Sequence, residues 1–131
     1  LHKPGQAFEE VVLFPLFTWL PLGEAMDQRR QMMGAGAWHA DWLPIFGDAQ
    51  GDYYAVICNP DSGDFGRVLG VIKGETRQIV EFSGLDVMLA TIEASYAEGV
   101  FSIVDGTLDA DYARMDEIAN RLQPADDVQA A

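Results

Sequence analysis

Basic residues are scarce in this 131-residue chain: eight Lys and Arg stand against 21 Asp and Glu, a formal net charge of −13. So acidic a protein is repelled by phosphate backbones and anionic bilayers, which argues against nucleic acid or a membrane surface as partner and permits a basic protein. Thiols are scarcer still. A single cysteine, Cys58, forms no internal disulfide and suits a reducing, cytoplasmic compartment. With only two histidines, His2 and His39, the chain lacks the closely spaced Cys and His set of a structural zinc site. It also lacks an evident nucleophile–histidine pair. No apolar run is long enough to span a bilayer: the longest, Val11–Leu22, is interrupted by Pro15 and Pro21. The start of the chain carries no cleavable-signal pattern. Gly34-Ala35-Gly36 lacks the third glycine of a dinucleotide fingerprint. Neither acidic turn described below has the alternating oxygen ligands and closing Glu of a calcium loop. The expectation is a single domain without metal, cofactor or catalytic machinery.

What the chain does have is a pattern of short apolar runs between turns, densest over Trp42–Ile72. Trp42 to Phe46, Tyr53 to Cys58 and Arg67 to Ile72 read as three strands, separated by turns at 47–52 and 59–66 rich in Gly and Asp. In the middle run, Tyr53, Ala55 and Ile57 fall on one face and Tyr54, Val56 and Cys58 on the other. Both faces are apolar, which predicts a central strand covered on both sides, with Cys58 buried and inert.

Before this stretch, a short strand or turn is expected near 11–14 and a strand at 16–20, since Pro15 makes one continuous helix unfavourable. A helix over 23–33 follows, with Leu22, Met26, Arg29 and Met33 on its inner face. After it, Lys73-Gly74-Glu75 is a hairpin turn and Gln78–Phe82 a strand, with Val80 and Phe82 on one face and Glu81 on the other. Ser83 is the expected cap of a helix over 84–98, whose stripe is Leu85, Met88, Leu89, Ile92 and Tyr96, with Gly99 closing it. Val100–Val104 reads as one further short strand or an extended lead into the last helix. Asp109 is the expected cap of a last helix over 109–122, with Tyr112, Met115, Ala119 and Leu122 inward and Pro124 ending it. Residues 125–131 read as an acidic, disordered tail, and 1–6 as a lead-in loop. The fold class is therefore α+β: a mixed, mainly antiparallel sheet of five or six strands against about three helices.

The sequence Trp-Leu-Pro-Ile at 42–45, the Gly-Asp turn at 47–48, Gly-Asp-Tyr-Tyr at 51–54, the Pro-bearing turn at 59–60, Gly-Arg-Val at 66–68 and Val-Ile at 71–72 resemble the SUKH superfamily. These are Smi/Knr-type domains named after a fungal regulator of cell-wall synthesis and widespread in bacteria. The resemblance covers roughly residues 6–96. It implies an N-terminal helix that this sequence does not supply, whose loss would leave an apolar patch for a homodimer to cover. It also implies a non-enzymatic protein-binding module, many bacterial relatives being immunity proteins that neutralise a toxin, often a basic nuclease. A regulatory or scaffolding module and a small-ligand-binding domain are the alternatives.

From the residues themselves, the partner-binding candidates are acidic and aromatic. No Lys or Arg occurs between Arg30 and Arg67. In that window Asp48, Asp52, Asp61 and Asp64 sit in or beside turns, with Trp38 and Tyr53 as aromatic anchors.

Overall fold

The computed structural model describes residues 12–14, 17–36, 38–75 and 77–123. They form β1 (Val12–Phe14), β2 (Phe17–Trp19), α1 (Leu22–Gly34), β3 (Trp42–Gly47), β4 (Tyr53–Ile57), β5 (Val68–Val71), β6 (Ile79–Phe82), α2 (Leu85–Ala97), β7 (Phe101–Val104), β8 (Thr107–Ala110) and α3 (Tyr112–Leu122). The first six strands make one sheet in the order β1-β2-β3-β4-β5-β6, and β7 and β8 make a separate hairpin. The fold is α+β as expected, with every strand pairing among the described residues antiparallel.

β4 is central, and its alternation builds two cores. On one face Tyr54 and Val56 join Phe14, Phe46, Val68 and Phe82 against Met88 and Ile92 of α2 and Ala119 of α3. On the other, Ala55, Leu69 and Val71 pack with Trp38, Trp42, Tyr53 and Val80. Part of this second face lies under α1, which packs on β3 and whose Gln28 accepts a 2.5 Å hydrogen bond from the Tyr53 hydroxyl. Pro44 sits in β3 without cost. β2 pairs only with Phe46 and Gly47, and the β3–β4 register shifts between Pro44 and Phe46; the missing N–H therefore falls at an irregularity beyond the reach of β2.

Several expectations are corrected. Thr107–Ala110 pairs back on β7 through Asp105 and Gly106, at φ 52 and 78, a primed two-residue turn that Asp-Gly favours. The last helix consequently starts later, and its cap is Asp111, whose carboxylate accepts the Arg114 N–H at 3.2 Å, rather than Asp109. The N-cap of α2 is Gly84, with no side-chain cap bond, rather than Ser83, whose N–H instead donates to Gln123 Oε1 at 2.7 Å. Gly99, at φ 72, does close α2.

The helices bury part of the predicted stripes: Leu85, Met88 and Ile92 of α2 and Met115 and Ala119 of α3 face the core as expected, and other positions differ. α1 buries Ala25 and leaves Leu22 and Met33 exposed; α2 buries Thr91 and Ser95 beside Met88 and Ile92, with Leu89 and Tyr96 exposed. α3 buries the predicted Ala119 and, beside it, Ile118, while Tyr112 and Leu122 are exposed. Hydropathy missed Thr91 and Ser95 because they donate their hydroxyls to the carbonyls of Val87 and Thr91, at 2.8 and 2.7 Å, and so enter the core as satisfied groups. Val80 and Phe82 lie in different cores, because the β5–β6 register shifts between Val68 and Leu69 and a bulge reverses the alternation. Cys58 stands past the end of β4 and is exposed, not buried. The expectations for the lead-in loop, Pro124 and the 125–131 tail lie outside the described residues.

Candidate functional site

In an antiparallel meander successive turns fall at alternate ends, and this divides the four candidate aspartates. Asp48 and Asp52 lie in the β3–β4 turn, at one end of β4; Asp61 and Asp64 lie in the β4–β5 turn, at the other. The six sequence-selected residues are therefore not one continuous patch.

At the first end the carboxylates are occupied with the backbone. Asp48 Oδ1 accepts the N–H groups of Gln50 and Asp52, at 2.9 and 2.8 Å. Asp52 Oδ1 accepts the Lys73 N–H at 2.9 Å, joining this turn to the β5–β6 turn. Asp48 also faces Tyr53, whose hydroxyl pKa is raised, first by burial and then by this charge. Trp38 and Tyr53 are half-buried rather than free anchors. Trp38 meets Trp42 and Tyr53 edge-on at 5.3 and 5.4 Å, and its indole N–H donates to the Trp42 carbonyl at 2.9 Å.

At the second end the backbone is held by uncharged side chains and the carboxylates face out. Asn59 Oδ1 accepts the Asp61 N–H at 2.9 Å, and Ser62 Oγ accepts the Asp64 N–H at 3.1 Å. Asp61 is exposed, and Asp64 has one ion pair, 3.7 Å from Arg67. Asp41 joins this end: its Oδ2 accepts from Asn59 Nδ2 at 3.1 Å and its carbonyl accepts the Cys58 N–H at 2.7 Å. Arg29 of α1 donates to the adjacent Ala40 carbonyl at 2.5 Å, so cations from outside the Lys/Arg-free window return beside it in space.

Sequence reasoning missed Phe65. The residue is 56% exposed in the same turn as Asp61 and Asp64. The signal was available: an aromatic inside an Asn-Pro-Asp-Ser-Gly-Asp turn has no strand to place it in the core. Asp41, His39 and Trp42 border the same end, with His39 stacked on Trp42 at 5.6 Å.

Elsewhere, Glu81 carries a raised pKa, first from burial and then from the Asp116 carboxylate, and burial raises that of Tyr54 as well. Burial is also the leading cause of the raised pKa of Cys58, with Asp41 adding to it and Arg29 opposing it. Among the described residues no group of three or more His, Cys, Asp and Glu side chains is placed to hold a metal ion, and no helix is long and apolar enough to cross a membrane. No protein-family model matches the sequence, and no curated protein matches it.

Proposed function

We propose that this chain is a non-enzymatic protein-binding domain of SUKH-like type, acting as an immunity protein that occupies the basic cleft of a partner toxin such as a nuclease. The observation that carries the reading is the β4–β5 turn, where Phe65 is exposed beside the outward carboxylates of Asp61 and Asp64. A large apolar ring next to exposed carboxylates suits an anchor with an electrostatic rim. The net charge of −13 adds long-range attraction for a cationic partner and a fast, salt-sensitive encounter. Asp48 and Asp52 contribute to this field while their contacts stabilise the platform. The resemblance of residues 42–72 to SUKH domains supports the toxin-neutralising form of the reading. That form, like the cytoplasmic placement, rests on the resemblance and on the lone thiol.

The test is pull-down and stopped-flow binding against a basic nuclease toxin domain, the gene neighbourhood being the place to look for it. Association should slow by about tenfold or more between low and physiological salt. Phe65→Ala should speed dissociation about tenfold, while Asp61→Asn with Asp64→Asn slows association. A salt-independent on-rate, or no binding, would sink the proposal.

A further inference from the structure

Three side chains at the β4–β5 end are joined in a row. His39 Nδ1 accepts the Asp41 N–H at 3.1 Å. Asp41 Oδ2 accepts from Asn59 Nδ2 at 3.1 Å, and Asn59 Oδ1 accepts the Asp61 N–H at 2.9 Å. The row therefore runs from an imidazole to the turn that carries Phe65.

An imidazole nitrogen that accepts an N–H carries a lone pair, so the ring is neutral with its proton on Nε2. Imidazole is also the side chain whose charge ordinarily changes between pH 5 and 8. A second proton goes to Nδ1 and turns that acceptor into a donor. The Asp41 N–H then loses its acceptor, and the new donor faces Asp41 Oδ2, 3.7 Å away. That is too far for a hydrogen bond, and a charge-assisted one closes to about 2.8 Å.

The surroundings decide which group moves. The ring is stacked on Trp42 at 5.6 Å, and Trp42 meets Trp38 edge-on at 5.3 Å. The backbone is tied by the Trp42 N–H to the His39 carbonyl at 3.1 Å and by the Cys58 N–H to the Asp41 carbonyl at 2.7 Å. The Asp41 carboxylate keeps its side-chain rotation, and the oxygen drawn to the ring is the one that holds Asn59.

We propose that the His39–Asp41–Asn59 row is a proton-operated latch on the β4–β5 turn, closed while the imidazole is neutral and released as it gains a proton. The charged groups around it set the balance. Asp41 favours the imidazolium. Arg29 of α1, which donates to the Ala40 carbonyl between the two at 2.5 Å, opposes it. The Cys58 thiol, its pKa raised first by burial, stays neutral and adds no charge. Beyond them Arg67 and Asp64 pair with each other at 3.7 Å. Release lets Asn59 turn away from the Asp61 N–H and loosens the segment leading to Phe65. The latch belongs to this chain alone and stands whatever the turn binds.

The experiment is a nitrogen–proton NMR titration of the full chain from pH 8 to 5.5. The Asp41 amide, the Asn59 side-chain amide and the Asp61 amide should shift together, with the midpoint shown by the His39 ring protons. His39→Phe keeps an aromatic ring against Trp42 and should flatten all three traces. Asn59→Ala should flatten the Asp61 trace while the Asp41 trace persists. Asn59 and Asp61 signals that stay flat through the His39 midpoint would overturn the proposal, a result read on the unaltered chain whether or not the variants fold. An Asp61 shift that survives either substitution would overturn it as well.

Discussion

Val80 and Phe82, two residues apart in one strand, point into opposite cores: Val80 packs with Leu69 and Val71, Phe82 with Val68 and Met88. The bulge between them brings Glu81 over Gly70, where a Cβ would lie 2.9 Å from the Glu81 Cγ. The glutamate is thus brought close to Asp116 and Tyr54.

Glu81→Gln is expected to stabilise the protein near neutral pH. The folded-state pKa of Glu81 is raised, so the stabilising share of its protonated form is complete below the ordinary carboxylate value and is lost as pH rises through the raised one. Wild type and variant should converge in acid and diverge toward pH 7. The gain stays under about 1 kcal/mol, because the residue keeps an exposed surface and solvent screens its repulsion. Urea midpoints measured across pH 4–8 check this, and a variant less stable at pH 7 than the wild type contradicts it.

The two pairs of aspartates should separate in stability measurements. Asp48→Ala removes the acceptor of two backbone N–H groups and should cost about 1–2 kcal/mol. Asp52→Ala, which frees the Lys73 N–H, should cost about 1 kcal/mol. Asp61→Ala and Asp64→Ala should stay within about 0.5 kcal/mol, their carboxylates being exposed and at most ion-paired at the surface. Equal losses at all four positions would remove the distinction between platform and binding end.

Capping gives a sharper contrast. Asp111→Ala should lower stability by about 1 kcal/mol, the usual loss of an N-cap acceptor. Asp109→Ala, whose carboxylate among the described residues accepts just the next residue's N–H at 2.8 Å, should change little, as should Ser83→Ala. Thermal unfolding of the three variants decides, and Asp109→Ala as the most damaging would return the helix start to the earlier position.

The exposed thiol of Cys58 should react with a small thiol reagent in the folded protein, without denaturant. Its raised pKa keeps the thiolate fraction at pH 7 below that of a free cysteine, so the rate should climb steeply on going to alkaline pH. A thiol that reacts only after unfolding would show that the end of β4 is covered.

The period-two runs made the sheet legible, because apolar residues between Gly, Asp and Pro have few other arrangements. Tyr53 and Tyr54 announced a strand with two covered faces, and both faces are packed. What stayed hidden depended on neighbours distant in sequence. Nothing local announces the bulge at Glu81, since it reconciles β6 with a second strand. Thr91 and Ser95 read as surface residues until the helix carbonyls accept their hydroxyls. The split of the aspartates follows from chain reversal at each turn, which sequence spacing conceals. The Thr107–Ala110 strand, by contrast, carried its own Asp-Gly signal.

Because sheet neighbours are also neighbours along the chain, the ladder can assemble stepwise in the order of synthesis, each new strand docking on the last one made. Such zippering needs few long loop closures and favours rapid folding.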